Sequence, residues 1–296
     1  MAKVVSIGHC TTDYLGVCDR YPPVDRKEEL SAFSVQGGGP AATAAAALSV
    51  LGVPVRFVGK VGDDALGKMA GDSLRDAGVD CSALVEVEGA ISPLSFIAID
   101  GPTGKRTIFW TKGNVDRLGL DEVDFSVLDG AKVLLMDGHH AEAQLALAME
   151  ARRRGMEVVL DAGSHRPGMD NLVKVSTVVV ASEHFGAEMA GAIERALEAI
   201  TGLGPRCAVI TLGPDGAVGR EGDRSELVAP FVVDVVDTTG AGDVYHGAFV
   251  YGMLRGLGLR ERMEFAGCAA ALSCRAIGGR GGLPTADEVR MALDGE

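Results

Sequence analysis

The stretch Val232-Val233-Asp234-Val235-Val236-Asp237-Thr238-Thr239-Gly240-Ala241-Gly242-Asp243 sets an apolar run before a turn of small residues that opens into a helix. Val244, Ala248 and Tyr251 follow at i, i+4 and i+7, the spacing of one helical face. The first amides of a helix lack intrahelical partners and lie at the positive end of its dipole, so a glycine turn placed there favours an anion. Gly240 and Gly242 carry no Cβ and let a phosphate approach the backbone. A carboxylate beside such a site is costly unless it performs chemistry, and Asp243 stands there. Taking a proton from an attacking hydroxyl is such a task. A plain helix-start carboxylate, favoured by the dipole, is the alternative.

Outward from this turn, short apolar runs at 4–8, 55–59, 132–136, 157–160, 177–180 and 207–212 are separated by helical stretches. The helices are expected at 40–51, 65–77, 141–154, 183–200, 241–255, 260–276 and 285–293. This order predicts an α/β fold: a central, mostly parallel sheet covered by helices on both faces. Segments 18–36 and 92–111 break the rhythm, and in the second Asp100-Gly101-Pro102-Thr103-Gly104 separates the two arms of an expected β-hairpin. Parts of 14–36 and 90–115 suit a small β lid on one domain spanning 1–296. A further strand pair at 217–220 and 226–229 flanks the turn from Glu221 to Arg224.

Of the 296 residues 47% are hydrophobic but only 5% aromatic, so Ala, Val, Leu and Ile must fill the core. A net charge of −13 without a compensating basic block argues against nucleic acid and anionic membrane surfaces as partners. The six cysteines form no C-x-x-C pair and read as reduced thiols of a cytoplasmic protein. Met1-Ala2-Lys3 runs directly into the first strand rather than a signal peptide, and the Ala41–Leu51 run is too short to span a bilayer.

Gln36-Gly37-Gly38-Gly39-Pro40-Ala41-Ala42-Thr43 is a second glycine turn feeding a helix, with Pro40 suited to the first helical turn. Alone it reads as a loop that lets a helix pack closely on the sheet. Together with the first turn it says more. D-T-T-G-A-G-D at 237–243 resembles the second signature of the ribokinase-like (PfkB) carbohydrate kinases, and 36–43 resembles the first. The resemblance runs from Asp13 through Gly282 and implies the ribokinase-like fold.

It also implies transfer of the γ-phosphoryl group of ATP to a hydroxyl of a sugar or anionic sugar derivative. Asp243 would be the general base, and the amides of Gly240, Ala241 and Gly242 would surround the phosphoryl group. Acceptor contacts are implied for Asp13, Gly38, Gly39 and Thr43, the last standing where the family usually has Asn. Thr211-Leu212-Gly213-Pro214-Asp215-Gly216 resembles the T-x-G-x-x-G nucleotide turn, which places Thr211, Gly213 and Gly216 beside ATP, with Gly242 and Gly279. A monovalent cation such as K⁺ is implied near Asp237 and Thr239. The family's N-x-x-E, which organises Mg²⁺, is replaced by Ser182-Glu183-His184-Phe185. Mg²⁺ is still expected with ATP, because charge on the phosphates needs a cation, and Glu183 is the substitute ligand.

The runs at 37–44, 233–244 and 278–284 are especially similar to sulfofructose kinases, where Lys27 matches a position near the acidic group. The Arg expected beyond the middle strand is His139 here, a candidate substrate contact at the carboxyl edge of the sheet. Its neighbour His140 points elsewhere, so the two make a poor metal pair. Arg26, Lys27, Lys105, Arg106 and Lys112 around the lid suggest an anionic acceptor in an otherwise acidic chain. His246 reads as a packed residue, and Arg152-Arg153-Arg154 as a complement to a helix dipole. A nucleoside kinase and a catalytically silent sugar-binding regulator are the other readings, and an exposed lid edge allows a homodimer.

Overall fold

Strands that are apolar at every position cannot leave one face wet, so both faces of their sheet must be covered. The computed structural model describes residues 2–295. Its strands are β1 (Val4–Ile7), β2 (Thr11–Cys18), β3 (Ala32–Gly38), β4 (Val55–Gly62), β5 (Asp80–Val87), β6 (Leu94–Asp100) and β7 (Arg106–Thr111). They continue with β8 (Val133–Met136), β9 (Glu157–Ala162), β10 (Val178–Ser182), β11 (Cys207–Thr211), β12 (Ala217–Glu221) and β13 (Arg224–Val228). The helices are α1 (Pro40–Val50), α2 (Ala65–Asp76), α3 (Ala141–Arg153), α4 (Met169–Val175) and α5 (Glu183–Ala190). They end with α6 (Ile193–Gly202), α7 (Ala241–Leu254), α8 (Leu259–Ser273) and α9 (Ala286–Asp294).

The large sheet has the order β13-β12-β11-β10-β9-β8-β1-β4-β5 and is parallel except for β12 and β13, which extend one edge as antiparallel strands. Alternate strand residues serve opposite layers. Val4, Leu135, Val159, Val180 and Val209 pack with α1, α7 and α8, whereas Val5, Leu134, Leu160, Val179 and Ile210 pack with α3 to α6. Residues Ala41 to Leu48 of α1 are all buried, as a helix apolar on every side must be. Small side chains bring α1 and α7 together: a Cβ on Gly247 would lie 2.7 Å from the Ala44 carbonyl oxygen. This contact sets the two glycine turns that precede these helices side by side.

The second sheet, β3-β2-β6-β7, corresponds to the expected small sheet, with the hairpin of β6 and β7 in place. Leu15, Ile97 and Ile99 form its own inner cluster. Its first strand begins at Thr11, so Asp13 lies within β2. Some expectations change. The helix expected over 183–200 is two, because Gly191 adopts a left-handed φ of 72° and ends α5. The edge strand β5 and the short helix α4 were not apparent from periodicity, and the valines of 232–236 form no strand. All six cysteines are free. Among the described residues no helix is long and apolar enough to cross a membrane.

Candidate active site

The turn before α7 is held from both ends. Asp237 is buried, and its Oδ1 accepts from the Thr239 amide at 2.9 Å and the Thr239 hydroxyl at 2.8 Å. Its Oδ2 accepts from the Gly278 amide at 2.8 Å, which ties the turn to the last glycine-rich loop. Gly240 has a φ of 74°, and a Cβ there would lie 2.5 Å from the Gly279 Cα and 3.4 Å from the Thr43 methyl. Thus Thr43, Gly240 and Gly279, some 240 residues apart in chain order at the extremes, meet at one point. The Ala241 amide turns back to the Thr238 carbonyl at 3.3 Å. The next two amides, of Gly242 and Asp243, find no acceptor among the described residues. Asp243 is half-buried on the first turn of α7. Burial, then the charge of Asp161, pushes its carboxyl well above the usual range, with Arg106 opposing.

Across from it, Thr11 of β2 pairs with Gly38 of β3. A side chain on Gly38 would overlap the Asp13 carboxylate, so glycine is what makes room for it. Asp13 is buried and its Oδ1 has no partner among the described residues. Burial raises its pKa to about 6, although Ser95 and Arg280 counter that rise. An unpartnered buried acceptor of this kind suits the hydroxyl of a ligand.

Two further residues shape this side that the sequence had not marked. Asp137, just beyond β8, accepts from the amides of His9 at 2.7 Å and Ala41 at 3.2 Å through Oδ2. Its Oδ1 accepts from the His139 amide and the Gln144 side chain, both at 3.0 Å. Burial alone would raise this carboxyl, but His139 and the hydrogen bonds outweigh it and hold the pKa at about 2. Arg280 donates to the Gly38 carbonyl and to the Ser73 hydroxyl, each at 3.0 Å, and its Nε–H is buried without a partner. The only sequence signal for Asp137 was an acidic residue directly after an apolar strand. For Arg280 it was a lone cation inside a glycine loop.

His139 lies at the same sheet edge, stacked on His9 with ring centroids 4.5 Å apart. Burial lowers both imidazoles, His9 to about 3. His140 turns away and accepts the Leu118 amide at 3.2 Å, so the adjacent histidines do diverge. Lys27 is exposed on the irregular segment between β2 and β3. Arg106 instead reaches the signature turn and donates to the Thr238 hydroxyl at 2.9 Å. The Thr238 amide bonds the Gly104 carbonyl at 3.3 Å, so the tip of the hairpin rests on this turn.

On the nucleotide side the Thr211 hydroxyl bonds the Ala181 carbonyl at 3.3 Å. Gly213 faces open space, whereas a Cβ on Gly216 would strike the Val228 carbonyl, a reason of packing. Glu183 is the exposed first residue of α5, and Ser182 caps that helix by accepting from the Phe185 amide. Phe185, at the position where the family carries its Glu, is fully buried and belongs to the core. No group of three or more His, Cys, Asp or Glu side chains among the described residues is arranged to hold a metal.

This geometry has counterparts. The model of the pfkB family of carbohydrate kinases matches residues 1–286, and the chain belongs to that family: it is a carbohydrate kinase. It is 29% identical to an ATP-dependent ribose-1-phosphate kinase of Halopiger xanaduensis, covering 99% of this chain and 98% of that one. It is 27% identical to the ribokinase of Bacillus subtilis, covering 99% and 100%. A crystal structure of a candidate ribokinase from Agrobacterium tumefaciens superimposes with a TM-score of 0.91 at 27% identity, covering 100% of this chain and 98% of that one. The fold is ribokinase-like.

Proposed function

We propose that this kinase transfers the γ-phosphoryl group of ATP to a hydroxyl of an anionic sugar derivative, a sugar phosphate or sulfosugar, in the cytosol. The observation that carries the reading is the placement of Asp243 beside two helix amides that have no acceptor among the described residues, with the Asp13 carboxylate, whose Oδ1 lacks a partner there, also near it. Asp243 takes the proton of the attacking hydroxyl; its raised proton affinity suits a base. The amides of Gly242 and Asp243 stabilise the charge that develops on the phosphoryl oxygens. The Ala241 amide, expected to share this role, is already engaged by Thr238. Arg106, close enough to oppose the rise of Asp243, adds a cation over the phosphates.

Asp13 accepts from acceptor hydroxyls, and Gly38, Gly39 and Thr43 form the wall beside it. Gly213 borders the nucleotide, with Thr211, Gly216 and Gly279 shaping its loops. The four-stranded sheet acts as the lid that excludes water from transfer. Mg²⁺ held mainly by the triphosphate, with Glu183 as a protein carboxylate, would neutralise phosphate charge; the exposure of Glu183 fits that use. A monovalent cation would lie between 237–239 and the 277–282 loop, where buried Asp237 supplies the charge. Lys27 and His139 are assigned to the acceptor's anionic group. Two copies pair through the small sheet, whose outer face exposes Phe33, Phe96 and Phe109.

ADP formation measured over a panel of sugars, sugar phosphates, sulfosugars and nucleosides tests this reading. Anionic sugars should turn over best. Faster turnover of neutral sugars or nucleosides would overturn the acceptor assignment. ATP binding without turnover of any acceptor would favour the silent regulator.

A further inference from the structure

His246 is buried on α7, one turn beyond Gly242. Its Nδ1 lies against the Gly242 carbonyl. Its Nε2 is 3.1 Å from the Val180 carbonyl of β10 and 3.3 Å from Asp161 Oδ1 of β9. These oxygens only accept while Asp161 is ionised, and a neutral imidazole has one N–H to give. The ring and Asp161 are satisfied together when they hold one proton more than a neutral ring and an ionised carboxylate would. Such a pair is net neutral whichever member carries the proton.

We infer that the His246–Asp161 pair positions and tunes the base: the imidazole pins the Gly242 carbonyl, and the shared proton keeps a bare carboxylate from standing beside Asp243. The inference rests on the reading of Asp243 as general base. Asp161 is 6% exposed, so its charge acts with little water to screen it. After burial, Asp161 is the strongest influence raising the Asp243 carboxyl. The other charged groups facing Asp243 are Arg106 from β7, Asp137 beyond β8, Asp13 from β2 and Arg280 from the last glycine loop. Those facing Asp161, besides His246, are Asp137, Arg166 and His139. Among the described residues His246 is the one side chain that touches both the signature turn and Asp161. It is a positioning residue, since it acts through Gly242 and Asp161.

The test is single-turnover transfer at saturating ATP and acceptor, followed across pH. In the wild type the rate falls in one step at acid pH as Asp243 takes a proton. In His246→Gln the two carboxylates Asp161 and Asp243 titrate against each other, and the acidic limb should move up by on the order of 1 pH unit and broaden. Adding Asp161→Asn to that variant removes the second carboxylate and should return the limb to its wild-type place. A limb unmoved in His246→Gln, with only a uniform loss of rate, or one the second change does not restore, overturns the inference. Should His246→Gln fail to fold, Asp161→Asn alone must leave the limb at its wild-type place, since one neutral pair replaces another, and a limb moved to lower pH there would show Asp161 standing ionised beside Asp243 and overturn the inference equally. Asp243→Asn separates this inference from the reading beneath it. If that variant still transfers, the base assignment fails; if it is inactive and the limb stays fixed, only the role of the pair fails.

Discussion

At Gly37–Thr43 the amide of the second residue of α1, Ala41, already holds an anion, the buried carboxylate of Asp137 at 3.2 Å. At Asp237–Asp243 the second amide of α7, that of Gly242, holds none among the described residues. Both are glycine turns feeding buried helices, and both have a buried aspartate near them. The difference lies in where the aspartate points. Asp237 is directed at Thr239 and Gly278 and braces the turn from behind, whereas Asp137 fills the helix start itself. A glycine turn is therefore an anion site only when no internal carboxylate has taken the place. That choice is made by a residue about 100 positions away in the chain.

The largest combined effect on stability and turnover is expected from spoiling the open turn. Gly240→Ala forces a left-handed φ on alanine and drives its Cβ into Gly279. Strain and overpacking together should cost about 2–4 kcal/mol of stability. Misplacing the amides should lower turnover roughly a hundredfold. Denaturant unfolding and initial rates check both; a variant as active as the wild type would mean that the turn does not hold the phosphoryl group.

Spoiling the filled turn should act on stability first. Asp137→Asn turns an amide toward donors that the carboxylate accepted, and leaving them unpaired should cost about 2–4 kcal/mol. The folded carboxyl titrates near 2, so its stabilisation, about 2 kcal/mol, is complete above about pH 4 and lost as pH falls through 2. In acid unfolding the variant should lack that part of the slope.

Asp13 behaves oppositely. Its folded pKa of about 6 lies above its unfolded value, so the ionised group costs stability that is absent below about pH 4 and fully present above about pH 6. Asp13→Asn should therefore raise the melting temperature at neutral pH, by the equivalent of about 2–3 kcal/mol, and not at pH 4. Acceptor KM should rise meanwhile. A variant neither stabilised nor weakened in acceptor binding would remove Asp13 from the site. The smallest effect on catalysis belongs to Phe109→Ser on the small sheet: if two copies pair there as proposed, the variant should sediment as a monomer where the wild type sediments as a dimer, while kcat changes less than about twofold.

Much of this is legible in the sequence, for identifiable reasons. Strands apolar at every position and the two glycine signatures carry local patterns, and both turns form where those patterns fall. The tip of the β6–β7 hairpin was visible in Asp100–Gly104. What it rests on was not, because Thr238 is 134 residues from Gly104. The same holds for Asp137 and Arg280: each works through partners distant in sequence, and an isolated Asp or Arg has no periodicity to betray it. β5 is an edge strand with only one neighbour and half-buried residues, so its pattern is diluted. Lys27 shows the converse limit: its charge is readable in the sequence, but its place is not, because it lies exposed on an irregular segment with no periodicity to position it.

On the proposed reading the open turn holds the phosphoryl group while Asp243 takes the acceptor's proton. Single-turnover transfer by Asp243→Asn, measured with the ATP dissociation constant and melting temperature, tests it most directly. Asn keeps the shape of the side chain and can stay on the first turn of α7. The rate of transfer should fall by roughly 10² to 10⁴, with ATP bound no more weakly and the melting temperature no lower than in the wild type. A loss of less than about tenfold, with the chemical step shown to limit the rate, would contradict it.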